Sequence, residues 1–369
     1  MKILISMILL LLVLFFLYYC RWQKAELEKF QITSYALFDK RLTQEIRLAF
    51  LTDTHGYEYG VDNAYLLKAV TSCQPHVILV GGDCIVAKDE SSFAKAETLL
   101  RGLVKIAPVY YCFGNHESRA ADSENIEAVT VTKNKNGMAL AKTDLPVAKN
   151  KSGMVIGNLK SHEAESQSTE VLSISIAFTK YLESVRNMGI TILENQNATI
   201  TIGADILALA GFDIPLTYYK KGKRIPMEDT VPEAFLGKAD RNHVQILLAH
   251  NPEYGMQYAK WGSDLTLCGH NHGGLISFPI IGGLFSPQLT FFPKFNAGDY
   301  VVSLEGEKWK TGGGQKAGRR KSTVGQGLQG TNQSRHIIVS RGLGTHTFHI
   351  RIRNRAEVLF VRLSPEAKQ

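Results

Sequence analysis

The chain has 369 residues, 44% of them hydrophobic and 21% charged, with a net charge of +8. This is ordinary for a globular protein with a sizeable core, and it excludes a chain too polar to fold; the length is long for one domain and short for two large ones. Five cysteines (Cys20, Cys73, Cys84, Cys112 and Cys268) form no CxxC pair and no even framework, which argues against a disulfide scaffold and suits a reducing compartment.

The first element is an uncharged apolar run, residues 3–20, with Lys2 before it and Arg21 and Lys24 after. At about 1.5 Å per residue it sits at the lower end of what spans a bilayer. Tyr18 and Tyr19 deny the small residues that a signal-peptide cut or a lipidated Cys20 would need, and with Trp22 they suit an interfacial aromatic belt. The expectation is an uncleaved single-pass anchor over residues 1–22, placing the protein in the cell membrane. Arg21, Lys24 and Lys29 outnumber Lys2, which puts the catalytic side in the cytoplasm.

Residues 23–44 read as a juxtamembrane segment and a first strand, "ITSYALFDKRL", followed by a second strand, "EIRLAFLTD". Ala64, Leu67 and Val70 recur at helical spacing, and Pro75 ends that helix. "HVILVGGD" is a continuous apolar run closed by glycines, the pattern of a strand buried on both faces. A helix over residues 92–103 and the strand "APVYYCFGN" continue the alternation, which predicts an α/β fold with crossover connections.

Residues 118–170 are polar and rich in Lys, Asn, Ser and Gly, and read as an insertion or cap. Order returns with a helix over residues 181–188, then strands in "GITILENQNATITI", "ILALAGFD", "HVQILLAH", "DLTLCGH" and "RHIIVSRGLG", and a last strand over residues 357–363. A second insertion, about 306–333, contains the acid-free basic run "KWKTGGGQKAGRRK", a basic surface loop. The main domain therefore spans 45–364.

Five apolar runs end in potential ligands. "LAFLTDTH" delivers Asp53 and His55, "VILVGGD" delivers Asp83, and "VYYCFGNHE" delivers Asn115 and His116. "VQILLAH" delivers His250, and "LTLCGHNH" delivers His270 and His272. In open α/β sheets that carboxyl edge is where ligands bind. Asp, Asn and His offer oxygen and nitrogen but no sulfur, which suits Mn, Fe, Zn or Mg. Seven ligands (Asp53, His55, Asp83, Asn115, His250, His270 and His272) fit two divalent ions if Asp83, preceded by two glycines, bridges them.

The segments "DTH", "GGD", "GNHE", "AHNPE" and "GHNHGG", in this order, resemble the calcineurin-like metallophosphoesterase superfamily. With the anchor and the late "VSRGLGT", the chain is most similar to membrane-anchored bacterial enzymes of the YkuE/YaeI type. The resemblance implies a four-layer α/β/β/α sandwich behind an N-terminal transmembrane helix. It implies one ion on Asp53, His55, Asp83 and His272 and a second on Asp83, Asn115, His250 and His270, manganese first among the metals. Asp83 and His116 become the catalytic residues, with His116 in the second sphere. Glu117, standing where Asp is more frequent, would orient His116, and Leu275 replaces the usual glutamine after "GHxHGG".

The expected activity is hydrolysis of a phosphodiester or pyrophosphate by a metal-activated hydroxide, on a phosphorylated and lipid-linked substrate such as UDP-2,3-diacylglucosamine. Alternatives are a nucleotide or nucleic-acid phosphodiesterase, although nucleic acid is not the expected partner, and a non-catalytic metal-containing module. A monomer is expected. Arg341 stands equally for an anion contact and for a carboxylate's partner. His76, His162, His243, His336, His346 and His349 receive no role.

Overall fold

A computed structural model of the chain describes residues 2–122, 161–220, 222, 224–274, 277–278, 282–283, 295–304, 308–311, 323–327, 334–345 and 350–366. Helix α1 (Lys2–Leu27) comes first; an 18-residue stretch of it has a mean hydropathy of 2.8 with none of that stretch buried, which makes Ile3–Leu27 a candidate membrane span. It continues five residues past the anchor expected over 1–22, because nothing in "QKAEL" breaks a helix.

The first part of the chain then gives β1 (Phe30–Phe38), β2 (Ile46–Leu51), α2 (Ala64–Ser72), β3 (Val77–Val80), α3 (Ser91–Leu103), β4 (Val109–Cys112), α4 (Asn115–Asp122), α5 (Ser161–Asn187) and β5 (Thr191–Leu193). The second part gives β6 (Gln196–Ile202), β7 (Asp205–Phe212), α6 (Val231–Leu236), β8 (Val244–Ala249), α7 (Gly255–Trp261) and β9 (Leu265–Cys268). The short pair β10 (Ser277–Phe278) and β11 (Gly282–Gly283) follows, then β12 (Gly298–Ser303), β13 (Lys308–Thr311), β14 (Thr323–Gly327), β15 (Ser334–Val339) and β16 (Ala356–Ser364).

Two seven-stranded sheets result among the described residues, in the orders β14-β1-β16-β2-β3-β4-β5 and β13-β12-β15-β9-β8-β7-β6. In the first, β2 to β5 run parallel; in the second, β7, β8, β9 and β15 do. Strand β2 shows how the layers are built. Leu48 and Phe50 point to the opposite sheet, where they meet Leu209, Ile246, Leu248 and Leu267, while Ala49 and Leu51 point to a core shared with Leu66, Leu100 and Phe178. Successive strand residues face opposite sides, so an uninterrupted apolar run fills two cores at once. Leu236, Tyr258 and Trp261 close the outer face of the second sheet. The layers are helix, sheet, sheet, helix, as expected.

Three differences from the sequence expectation have physical causes. Helix α5 runs from Ser161 to Asn187, well before the helix expected over 181–188, and it buries Ile174, Phe178, Tyr181 and Val185 at helical spacing. The polar stretch assigned to an insertion therefore ends in helix, and its first residues belong to α4; residues 123–160 lie outside the described residues. The strand expected in "ITSYALFDKRL" is β1, but it starts two residues earlier, at Phe30, and pairs in register with β16 over nine residues, so the juxtamembrane part shrinks to the end of α1 and two linking residues. The second insertion carries edge strands on both sheets, β13 beside β12 and β14 beside β1; most of its basic run lies outside the described residues.

Leu248, 0% exposed between the sheets, tests this packing. Leu248→Ala is expected to cost about 2–5 kcal/mol, seen as a lower urea midpoint with an unchanged slope.

Candidate metal centre

Five of the seven ligand candidates leave their strands by an unusual backbone turn. Asp53, His55, Asp83, His270 and His272 all have positive φ, between 46° and 69°. Left-handed backbone is disfavoured for side chains with a Cβ, so alternate residues after a strand do not continue its pleat but turn toward one side. This is how Asp53 and His55, and likewise His270 and His272, reach one cluster from an i, i+2 spacing. The neighbouring glycines are spatial necessities: a Cβ at Gly82 (φ 89°) would overlap the backbone of Gly114, and one at Gly269 would overlap the Asp53 carboxylate.

Among the described residues, three overlapping groups have ligand atoms within 4.8 Å of one another: Asp53, His55 and His272; His55, Asp83 and His116; Asp83, His250 and His270. His55 Nε2 and His272 Nε2 face each other at 3.2 Å, and His272 Nε2 lies 3.4 Å from Asp53 Oδ1. His250 Nε2 stands 3.1 Å from Asp83 Oδ2 and 3.6 Å from Asp53 Oδ1. Its Nδ1 bonds the Gly81 carbonyl at 2.8 Å, which puts the proton there in the neutral ring and aims a lone pair from Nε2 into the cluster. The Asn115 amide oxygen faces His270 Nδ1, two acceptors 2.9 Å apart. Facing acceptors are reconciled by a shared cation or by turning the amide, which then donates to His270 and accepts from Arg119. The donors present thus fit divalent ions: buried, convergent, without sulfur, and mutually repulsive unless positive charge joins them.

The electrostatics point the same way. Burial raises Asp53 to about 7; His250 opposes the rise and the Asp83 carboxylate adds to it. Burial also works against the Asp83 charge, but the imidazoles of His250 and His116 hold it well below the usual carboxylate range. Burial would lower His250, yet the Asp83 and Asp53 carboxylates push it up to about 10. Burial, with His250 and His55 as like-charged neighbours, drives His270 down to about 3 and His272 well below its ordinary value. Those two rings are neutral, the form that ligates metal.

The neighbours correct one expectation. Glu117 is 0% exposed, and its carboxylate accepts from the backbone N–H of Asp83 (2.8 Å), Cys84 (2.7 Å) and Gly114 (3.0 Å) and from the Tyr111 hydroxyl (2.6 Å). It ties down the turn that presents Asp83 rather than orienting His116. Consecutive helix residues point about 100° apart, so 116 and 117 do not serve one partner. His116 is oriented by the Ala87 N–H, which donates to its Nδ1 at 3.1 Å, while its ring meets His55 edge-on at 5.0 Å. Arg341 takes the structural alternative, pairing Glu357 at 2.7 Å.

Of the unassigned histidines, His76 accepts from Arg47 N, His243 pairs with Asp240 and His336 with Asp299. Leu275, His346 and His349, and the side chain of His162, lie outside the described residues. Cys84, Cys112 and Cys268 are buried with thiols pushed up by burial, so they pack rather than ligate. Two residues near the site carried no sequence signal. Arg351, fully buried, donates to the carbonyls of Arg341, Gly342 and Gly344, and Asn354 donates to that of His272 at 2.6 Å. Their partners are backbone atoms of other segments, which no local pattern announces.

A sequence profile described as calcineurin-like phosphoesterase matches residues 46–274. Phosphodiesterase YaeI of Escherichia coli (strain K12) is 25% identical over 277 residues, covering 74% of this chain and 76% of that protein. The UDP-2,3-diacylglucosamine pyrophosphatase LpxG of Chlamydia trachomatis is 22% identical over 259 residues, covering 66% and 72%.

Glu117→Ala leaves five buried donors, the Ile85 N–H at 3.4 Å among them, without their acceptor and is expected to cost about 3 kcal/mol or more in a urea titration, before any effect on turnover is counted. Metal loading is expected to release about one to two protons at pH 7, since a cation displaces the proton on His250 (about 10) and part of that on Asp53 (about 7). Affinity should therefore fall as pH drops below 7; calorimetry in buffers of different ionisation enthalpy reads both, and proton-neutral binding would refute the charge assignment.

Proposed function

The chain belongs to the calcineurin-like phosphoesterase family, metal-dependent hydrolases of phosphoric ester bonds, and from that premise we propose a membrane-anchored dinuclear enzyme that cleaves a phosphodiester or pyrophosphate on a lipid-linked substrate. The observation that carries the reading is the convergence of three overlapping Asp/His groups among the described residues, two of which contain Asp83 and two His55. Asp53, His55, Asp83 and His272 would hold one ion, and Asp83, Asn115, His250 and His270 the other. Manganese is the first candidate by donor type.

A bound pair of divalent ions supplies positive charge at the phosphoryl oxygens and a water acidic enough to attack at neutral pH. The protein contributes the rest. His116, with Nδ1 engaged by Ala87 N–H, carries its neutral-ring proton on Nε2 and can give it to the departing oxygen, a role worth about 10²–10⁴-fold. The Asp83 Oδ1 accepts from His116 N at 2.8 Å, so the bridging carboxylate also fixes the proton donor's backbone. Asp53 does the same for the second sheet, accepting from His270 N at 3.0 Å.

The substrate proposal draws on the relatives. One is by its name a phosphodiesterase and another a UDP-2,3-diacylglucosamine pyrophosphatase, and α1 suits a substrate that resides in a membrane. Arg21, Lys24 and Lys29 after the apolar run support a cytoplasmic catalytic side.

Asp83→Ala should lose both ions and all hydrolysis. His116→Ala should keep two ions per chain, by elemental analysis, yet lose about 10²–10⁴-fold in turnover of bis(p-nitrophenyl) phosphate with manganese. Loss of an ion in His116→Ala would make His116 a ligand instead of the proton donor. Full activity of Asp83→Ala would end the reading.

A further inference from the structure

The way α1 joins the catalytic domain decides which face of the enzyme meets the bilayer. Only Glu28 and Lys29 separate the end of α1 at Leu27 from Phe30, the first residue of the core strand β1. β1 runs parallel to β16, and β16 runs antiparallel to β2. The start of β1 therefore lies at the same end of the sheet as the finish of β2, where Asp53 emerges. The registers are specific: Phe30 pairs with Ala356, and Leu359 with Phe50, so the line through Phe30 and Ala356 extends to residue 53. Two strand spacings, about 10 Å, separate the helix junction from the metal-ligand level.

The last turns of α1 are also docked. Tyr19, Gln23, Glu26 and Leu27 are the partly or wholly buried residues of this stretch, spaced as one helix face, while residues 20–22 and 24–25 are exposed. Gln23, 5% exposed, accepts from Arg351 N at 3.1 Å, and Glu26 pairs with Arg355 at 2.9 Å. Arg351 holds the carbonyls of residues 341, 342 and 344; in the same loop Leu343 N bonds Thr52 O and Gly344 N bonds Asp53 O. Helix, rim loop and the Asp53 turn are one bonded unit.

A third observation lies beside this junction. Tyr59 packs on Phe30 at 4.8 Å, donates to Leu343 O, and accepts from Tyr65 N. Here Val61, in the turn before α2, and Tyr65, in the first turn of α2, stand 83% and 69% exposed, a few residues after the candidate ligands Asp53 and His55. An aliphatic and a tyrosine at the foot of a membrane helix are what an interface accommodates.

We propose that α1 is a rigid strut that holds the metal centre facing the bilayer it enters, with Val61 and Tyr65 dipping into the headgroup layer, so that the enzyme takes its phosphoester from an amphiphile in that same leaflet. The inference rests on the phosphoesterase reading for what is cleaved; the orientation rests on α1 entering the membrane and on the geometry of its junction with β1.

The full chain with Cys20→Ser and Cys73→Ser, the remaining cysteines being buried, is placed in nanodiscs and labelled with bimane at Val61→Cys or, at the opposite end ahead of β8, at Asn242→Cys. Shallow doxyl lipid is expected to quench residue 61 about threefold or more over residue 242. Equal quenching overturns the orientation. A flexible 20-residue Gly/Ser insert between Arg21 and Trp22, reaching about 25 Å, breaks the strut between Tyr19 and the turn held by Gln23 and Glu26. It should bring residue 61 to the level of 242 and lower turnover of a p-nitrophenyl phosphatidate in the disc by about tenfold, with bis(p-nitrophenyl) phosphate turnover unchanged. An unchanged ratio of the two substrates overturns delivery from the leaflet. If the unaltered chain cleaves neither compound, the phosphoesterase reading falls, and the quenching pair still decides which way the centre faces.

Discussion

Asp53 and Asp83 are buried at the ends of adjacent parallel strands, and His250 stands between them, 3.6 Å from one carboxylate and 3.1 Å from the other. Much of the architecture around them keeps this charge in place. Two carboxylates in a site this dry resist ionising together unless positive charge is supplied. The arrangement also carries backbone strain, with five cluster residues in the left-handed region at about 1–3 kcal/mol each. What offsets it is a set of hydrogen bonds across the turns. Asp53 N donates to Gly82 O, His55 N to Asp83 O, His116 N to the Asp83 carboxylate and His270 N to that of Asp53. The candidate ligands are thus also the fasteners of the loops that present them.

This doubling explains why so much of the site could be read from sequence. A buried apolar run has to end where polar side chains begin, and five of the runs ended on Asp, Asn or His. Composition and position together located Asp53, His55, Asp83, Asn115, His116, His250, His270 and His272, and the structure brings all eight to one end of the sandwich. The four layers followed from the same runs, since strands apolar on both faces need cover on both sides.

What stayed hidden was set by direction rather than composition. An acid next to His116 looks like its partner, yet the helical turn of α4 sends Glu117 toward the backbone of Asp83 and Cys84. Arg341 offered two equal uses, and only the placement of Glu357 on β16, in the other sheet, selects one. The left-handed turns at His270 and His272 have no marker beyond the adjacent glycines, and Arg351 and Asn354 act on carbonyls from other segments. Helix α5 was obscured differently: its first ten residues, "SHEAESQSTE", are polar apart from Ala164, so they read as insertion.

The two sheets contribute to the centre in halves. Asp53, His55, Asp83, Asn115 and His116 come from the first, His250, His270 and His272 from the second. The apolar layer between the sheets aligns them, but it is non-directional and would tolerate a small slide. The bonds that resist a slide at this end are polar and cross the gap: His250 Nδ1 to Gly81 O and His270 N to the Asp53 carboxylate. Cations bound by ligands from both sheets would add to that stitching, so metal affinity and sheet registration are two expressions of one free energy. β1 extends the same logic outward. Because it runs antiparallel to β2, the end of the sandwich most dependent on polar fastening is also the end at which α1 enters.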